Sequence, residues 1–218
     1  MDYDSLIQTL CISVLPVLFA ITVHEVAHGW VASLFGDQTA RLAGRLTLNP
    51  AKHIDVVGTI IVPLLLLFLG GFIFGWAKPV PVDARNLKNP RWNMIFVAAA
   101  GPSANLLMAI AWGALAKLGS MYVVSNAWGA EALYQMGLVG IQINIFLAIL
   151  NCLPIPPLDG GRILMNCLPG RIAYRLIGLE TYSFFILTLL LLTGLLQKIM
   201  GPPAIALIES VMRLFNLS

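Results

Sequence analysis

Long hydrophobic runs alternate with shorter polar segments along the chain. The runs lie at about 6–35, 54–76, 92–118, 136–153 and 181–197, with a weaker run at 202–217. A helix needs roughly 20 residues to cross the hydrocarbon core of a bilayer, and most of the runs have about that length. The pattern predicts an all-α polytopic membrane protein with about five to six membrane segments.

The composition supports a membrane protein. Hydrophobic residues make up 59% of the 218 residues, charged residues only 11%, and the mean hydropathy is +0.87. A soluble domain has about 25% charged residues. We therefore expect one integral-membrane domain over 1–218, with a core at about 6–165 and C-terminal membrane segments at about 181–217.

Charge and cysteine content exclude other classes of protein. The net charge is +3 without a basic, aromatic-rich patch, so nucleic acid is not an expected partner. Cys11, Cys152 and Cys167 lie in or beside apolar runs, where we expect small buried residues and no disulfide framework. The first run has no basic flank and is longer than the apolar part of a signal peptide, so we expect no cleavable targeting segment.

Basic residues indicate which loops share a side of the membrane. Three loops contain them: Arg41, Arg45 and Lys52; Lys78, Arg85, Lys88 and Arg91; and Arg162, Arg171 and Arg175. The loop 119–135 has none. Because short cytoplasmic loops collect Lys and Arg, all three basic loops are cytoplasmic only if residues 54–90 enter and leave the membrane on one side.

The sequence of this region favours such a hairpin. Pro63 interrupts the run, Gly70 and Gly71 permit a sharp reversal, and GWAKPVPV at 75–82 is typical of extended backbone. We predict a re-entrant helix plus a short β-strand between the first helix and the helix that carries GPSAN. The alternative is a plain transmembrane helix with loop 75–91 on the opposite side.

Three ionisable residues occur inside the first apolar run, in the stretch AITVHEVAHGW. His24 and His28 are four residues apart, so on a helix both can face one metal ion. Glu25 is rotated by about 100° from His24 and can reach a water molecule beside that ion. This is the HExxH arrangement of metalloproteases. The alternative is a pair of histidines that bind neighbouring helices.

A catalytic zinc site needs a third protein ligand and an open position. The best candidate is Asp159 in NCLPIPPLDGGRI, which lies three residues before Arg162 and so in the same half of the bilayer as the histidines. Prolines break the helix before it, and Gly160 and Gly161 allow unusual backbone. The alternative for Asp159 is a helix cap. Asn151 could steer substrate or be a satisfied core residue.

Together these motifs resemble the site-2 protease family of intramembrane zinc metalloproteases. The resemblance rests on HEVAH at 24–28 and NCLPIPPLDGG at 151–161, and AAAGPSAN at 98–105 is similar to a third family signature. It implies one Zn²⁺ per chain held by three ligands, Glu25 as catalytic base, and Asn151 as the asparagine of the NxxPxxxLDG pattern. The implied ligands are His24, His28 and Asp159.

The resemblance also implies the setting of the reaction. Family members cut transmembrane segments of membrane-bound substrates, often anti-sigma factors or other regulators. We expect a prokaryotic inner-membrane protein whose active site lies in the cytoplasmic half of the bilayer. Neither a PDZ nor a CBS domain is evident, so the chain is similar to a minimal core. The alternative for GPSAN is close helix packing through small residues, and His53 is expected to act at the interface or as a cap.

The expected activity is zinc-dependent hydrolysis of peptide bonds within or near transmembrane segments. The segment Lys78, Pro79, Val80, Pro81 and Val82 could hold the substrate by β-augmentation, although its prolines limit pairing. The alternatives are a metal transporter, since ionisable residues in membranes also mark ion pathways, and a membrane zinc-binding protein that captures helices without cutting them.

Overall fold

The computed structural model describes residues 3–61, 65, 77–123 and 127–217, and its regular elements are helices. The α-helices are α1 Tyr3–Leu34, α2 Thr39–Leu42, α3 Pro90–Val123, α4 Ala130–Cys152, α5 Asp159–Cys167, α6 Gly170–Glu180, α7 Ser183–Leu192 and α8 Leu195–Leu214. Short 3₁₀ turns occur at Pro50–Lys52 and Ala84–Asn86, and Val56–Ile61 is π-helical. The all-α class is confirmed, and no β-strand occurs among the described residues.

In the part of the chain that the structure describes, three helices are long and apolar enough to cross a membrane. The candidate spans are Gln8–Leu34, Pro90–Val123 and Ala130–Cys152, and the pair Phe185–Leu192 and Leu195–Leu214, bent by 79°, would form a fourth. The described part of the chain therefore has fewer candidate membrane spans than the five to six membrane segments that the sequence predicted. One reason is that the last two hydrophobic runs form this single bent pair, and another is that run 54–76 lies largely outside the described residues.

Helices α1, α3 and α4 form the centre of the bundle, and α3 packs most extensively on α4. Gly137 and Gly140 of α4 make this contact close, because a Cβ at Gly140 would lie 2.2 Å from Cγ of Trp112 and one at Gly137 would meet Ala116 at 2.5 Å. Small residues let membrane helices approach in this way. Helix α8 adds Ala204 to the buried cluster around Trp112.

The chain returns to the same end of the bundle after α1. The N–H group of Lys88 donates to the carbonyl of Phe35 (3.1 Å), and the N–H group of Lys78 donates to the carbonyl of His53 (2.9 Å). A buried cluster that contains Ala32 and Val97 joins the last turn of α1 to the first turns of α3. Helices α1 and α3 therefore run antiparallel.

Helix α5 is fastened to the same end by Arg91, at the start of α3. Its guanidinium donates to the carbonyls of Asn166, Cys167 and Leu168, at 2.7, 3.1 and 3.4 Å. Carbonyls at the C-terminus of a helix lack partners within the helix and carry partial negative charge, so a cation stabilises them. This contact connects the end of α5 to α3.

Two predictions about local structure were wrong among the described residues: the burial of the cysteines and the short β-strand. The cysteines are free, as predicted, but all three are exposed rather than buried, because they lie on faces turned away from the rest of the chain. Residues 77–83 run as irregular backbone without strand pairing in the described part of the structure. The predicted turn residues Pro63, Gly70 and Gly71 lie outside the described residues.

Candidate metal centre

Three side chains from distant parts of the sequence converge at the centre of the bundle. Nε2 of His24 and Nε2 of His28 are 3.1 Å apart, and Oδ2 of Asp159 lies 3.2 Å from the first and 3.3 Å from the second. All three residues are buried, and among the described residues they form a group that could hold a metal ion. The structure thus brings together the three residues that the sequence predicted as ligands.

In both imidazoles, Nδ1 carries a proton, and this nitrogen is the one that faces away from the three converging atoms. Nδ1 of His28 lies 2.7 Å from the carbonyl oxygen of Val97, which only accepts, so Nδ1 carries the proton. Nδ1 of His24 lies 2.6 Å from Oδ1 of Asn105 and is likewise the donor. In the neutral form of each ring, the lone pair of Nε2 therefore points toward the other ring and the carboxylate.

This arrangement fits a cation. Zinc binds imidazole nitrogen at about 2.0–2.1 Å and carboxylate oxygen at about 2.0–2.2 Å, and tetrahedral geometry then separates the donor atoms by about 3.4 Å. The observed separations of 3.1–3.3 Å are close to that value. Oδ2 of Asp159 is buried without a hydrogen-bond donor among the described residues, which is costly unless a positive charge lies beside it.

Asp159 reaches the histidines because the chain folds back tightly between α4 and α5. A Cβ at Gly160 would lie 2.3 Å from the carbonyl oxygen of Cys152, and one at Gly161 would lie 2.4 Å from the nitrogen of Pro156. Neither glycine has a positive φ. The glycines are needed for close approach of backbone, and not for the unusual backbone conformation that we predicted.

One face of α3 forms a further wall of the site. Val97, Gly101 and Asn105 follow one another at four-residue intervals, which places them on one side of the helix. The carbonyl of Val97 and the amide of Asn105 bind the two histidines. A Cβ at Gly101 would lie 2.4 Å from Nε2 of His28, so glycine leaves the room that the imidazoles occupy.

Sequence reasoning missed these contributions of α3. It treated GPSAN only as a family signature or as a packing motif, although the polar Asn105 in an apolar run was a signal for a buried partner. Asn144 of α4, which is also fully buried, was missed for the same reason.

Glu25 is next to His24 but faces the irregular segment 77–83. Its Oε2 accepts a hydrogen bond of 2.8 Å from the N–H group of Val80. The side chain of Val80 is buried, and its Cγ1 would be 2.7 Å from a Cβ at Gly29 of α1. The segment thus lies directly against the helix that carries HEVAH.

Two buried charged side chains hold this segment in place through its backbone. Arg45 donates to the carbonyls of Lys78 (2.7 Å) and Pro79 (3.3 Å). Asp37 accepts from the N–H group of Asp83 (2.7 Å) and from the side chain of Asn86 (3.0 Å). Neither residue was singled out from the sequence, where both are ordinary loop charges.

Hydrogen bonds also lower the pKa values of two aspartates in this region, Asp37 and Asp83. Burial alone would raise the pKa of Asp37, but hydrogen bonds from Thr39, Asn86 and the backbone of Asp83 outweigh it and lower that pKa. The Arg85 guanidinium lowers the pKa of the half-buried Asp83 to about 2. Both carboxylates are therefore charged at neutral pH and keep their acceptor roles.

The two remaining candidates lie apart from the three converging atoms. The amide of Asn151 donates to the carbonyl of Leu147 in its own helix (3.0 Å) and makes no hydrogen bond with His24, His28 or Asp159. His53 is buried and donates from Nε2 to the carbonyl of Thr47 (2.9 Å).

Comparison with known proteins identifies the family of this chain. The model for "Peptidase family M50" matches residues 12–130 and 115–193. This chain belongs to peptidase family M50. No solved structure matches it significantly.

The curated relatives of this M50 peptidase are named as metalloproteases. It is 39% identical over 210 residues to "Putative zinc metalloprotease YwhC" of Bacillus subtilis, covering 93% of this chain and 90% of the relative. It is 30% identical over 184 residues to "Putative zinc metalloprotease Rip2" of Mycolicibacterium smegmatis, covering 83% and 66%. Family and relatives identify the M50 peptidase as an integral-membrane zinc metalloprotease of the site-2 protease type.

The space at Gly101 can be tested by substitution. Gly101→Ala should lower the affinity for zinc on the order of tenfold or more, because its Cβ would displace the rings of His24 and His28. Zinc affinity is measured by competition with a chelator on the purified peptidase. Ser103→Ala, at an exposed position of the same helix, is the control and should keep the affinity. Equal affinities would show that the rings do not need this space.

Proposed function

We propose that His24, His28 and Asp159 hold the zinc ion and that Glu25 is the general base for hydrolysis of a peptide bond in the membrane. The observation that carries this proposal is the convergence of two imidazole nitrogens and a carboxylate oxygen 3.1–3.3 Å apart. When bound there, zinc supplies Lewis-acid polarisation of the scissile carbonyl and lowers the pKa of water.

Glu25 is placed to move the protons of this reaction. Its Oε2 is held by the N–H group of Val80, while Oε1 accepts no hydrogen bond from the described residues. The carboxylate takes a proton from the attacking water as the new C–O bond forms, and it delivers that proton to the leaving nitrogen as the C–N bond breaks. The products are a carboxylate and an amine.

The path of residues 54–90 is proposed to be re-entrant. The hydrogen bond from Lys78 to His53, and the one from Lys88 to Phe35, support a chain that leaves and returns at one end of the bundle. A plain transmembrane crossing would separate residues 53 and 78 by the thickness of the bilayer, roughly 30 Å.

This end of the bundle is proposed to be cytoplasmic. It contains the basic loops, including Arg45 and Arg91, as the positive-inside rule requires. His28 is six residues, or about 9 Å, from the end of α1, so the active site would lie in the cytoplasmic half of a prokaryotic inner membrane. The substrates would be transmembrane proteins such as an anti-sigma factor or another membrane-bound regulator.

Residues 78–82 are proposed to hold the substrate in an extended form beside Glu25. The N–H groups of Lys78 and Val80 are already bound within the chain, and Pro79 and Pro81 have none. Val82 therefore has the one N–H group of the segment that is free among the described residues. We infer a short pairing centred on Val82 and not a long β-ladder.

The proteolytic mechanism is tested by Glu25→Gln in the purified peptidase. Zinc content should be kept, because the three ligands are unchanged, and cleavage of a model transmembrane substrate should fall roughly 10²- to 10⁴-fold, because the base is lost. His24→Ala is the matched comparison and should lose zinc as well. Full cleavage by Glu25→Gln would contradict the proposal.

Zinc flux into liposomes with no cleavage by the wild type would indicate a transporter, and zinc binding with neither activity would indicate a scaffold.

The topology is tested by labelling with an impermeant thiol reagent in sealed vesicles, after replacement of the three native cysteines, which are all exposed. Lys52→Cys and Arg85→Cys should react from the same side. Trp128→Cys, in the loop between α3 and α4, should react from the opposite side. Opposite sidedness of positions 52 and 85 would exclude the re-entrant path.

The substrate segment is tested by comparing Val82→Pro with Val82→Ala. Proline removes the N–H group, so KM should rise roughly fivefold, because one hydrogen bond contributes about 1 kcal/mol. Alanine keeps the N–H group and should have a smaller effect. Zinc content should be unchanged in both variants. The same KM for both would argue against pairing through Val82.

A further inference from the structure

Two asparagines are fully buried in the middle of the apolar bundle, Asn105 in α3 and Asn144 in α4. An amide in such surroundings is costly unless its polar atoms are hydrogen-bonded. Asn105 donates to the carbonyl of Ala20 (3.2 Å) and to Oδ1 of Asn144 (2.9 Å). Asn144 in turn donates to the carbonyl of Gly140 (2.9 Å).

The orientation of both amides follows from these contacts. The carbonyls of Ala20 and Gly140 can only accept, so the NH₂ group of each asparagine must face its carbonyl. The oxygen of Asn144 then faces Asn105, and the oxygen of Asn105 faces Nδ1 of His24 at 2.6 Å. The chain of hydrogen bonds has one consistent direction, from His24 through α3 to α4.

The two histidines differ in what holds them. His28 donates to a backbone carbonyl, that of Val97, which no substitution removes. His24 donates to a side chain. The proton position and the ring orientation of His24 therefore depend on the residue at position 105, and Asn105 in turn depends on α1 and α4 for its own orientation.

We propose that Asn105 is a positioning residue for the metal centre. It keeps the proton of His24 on Nδ1, so that the lone pair of Nε2 points at the ion, and Asn144 and Ala20 hold Asn105 in the orientation that this requires. The inference rests on the assignment of His24 as a zinc ligand in the proposed function. The partner of the second ring nitrogen typically changes metal affinity by 10- to 100-fold when it is removed.

The test compares Asn105→Ala with Asn105→Asp in the full-length protein, with zinc affinity and thermal unfolding measured separately. Alanine removes the acceptor for His24, and zinc affinity should fall roughly 10- to 100-fold. Aspartate keeps an acceptor for Nδ1, so affinity should stay near that of the wild type. However, it loses both donors and puts a carboxylate against the carbonyl of Ala20, so the unfolding temperature should fall at least as far as for alanine.

A merely structural role predicts a different order. Zinc affinity would then follow stability, with aspartate as weak as alanine or weaker, and that result would overturn the proposal. Asn93→Ala is the matched control, because Asn93 is a buried asparagine of the same helix without a contact to the metal centre. It should keep wild-type affinity, and a loss equal to that of Asn105→Ala would also count against the proposal.

Asn144→Ala extends the test along the chain of hydrogen bonds. It frees Asn105 to rotate, so zinc affinity should fall, but less than for Asn105→Ala; an unchanged affinity would remove Asn144 from the proposal. These readouts do not depend on proteolysis. A wild type that binds zinc through His24 without cutting any substrate would overturn the proposed activity and leave this inference standing.

Discussion

Mutual repulsion of three electron-rich atoms is the constraint on which the rest of the structure depends. Two imidazole nitrogens and a carboxylate oxygen lie within 3.3 Å of one another in a bundle of apolar helices. Without a cation this arrangement is unfavourable, since a buried charge needs a partner. The helices must therefore hold the three side chains in place, and the proposed zinc ion would stabilise the positions that they hold.

The helix that carries GPSAN does most of this holding. It provides the carbonyl of Val97, the gap at Gly101 and the amide of Asn105 at four-residue intervals along one face. Because α3 also packs closely on the glycines of α4, the orientation of the histidines is connected to the packing of the whole bundle. A motif of small residues thus contacts both histidines beside its packing against α4.

The segment beside Glu25 is held in place by charged side chains that bind its backbone. Arg45 and Asp37 are buried charges that bind backbone groups of residues 78–83 and not each other. Hydrogen bonds between charged groups and backbone are stronger than neutral ones, so they can hold irregular backbone that lacks a sheet partner. This explains how a segment with two prolines stays fixed against the HEVAH helix.

By itself, the sequence determined the membrane class and the three candidate ligands that the fold brings together, because both depend on local properties. A long hydrophobic run indicates that a helix is surrounded by lipid. The four-residue spacing of His24 and His28 places both on one face of a helix, and this does not depend on the rest of the chain. Asp159 could be chosen as the third candidate ligand from its side-chain chemistry and from the family resemblance of the motif around it.

Only the tertiary structure decided which residues support that site. Asn105, Gly101 and Arg45 act across 33 to 85 positions of sequence, and no local pattern says which carbonyl, ring or amide will lie opposite a given side chain. The role of Gly160 and Gly161 was also decided there, since close approach of two backbones depends on where both segments lie. Periodicity specifies the face of a helix, whereas the partner of that face follows from the packing of the whole chain.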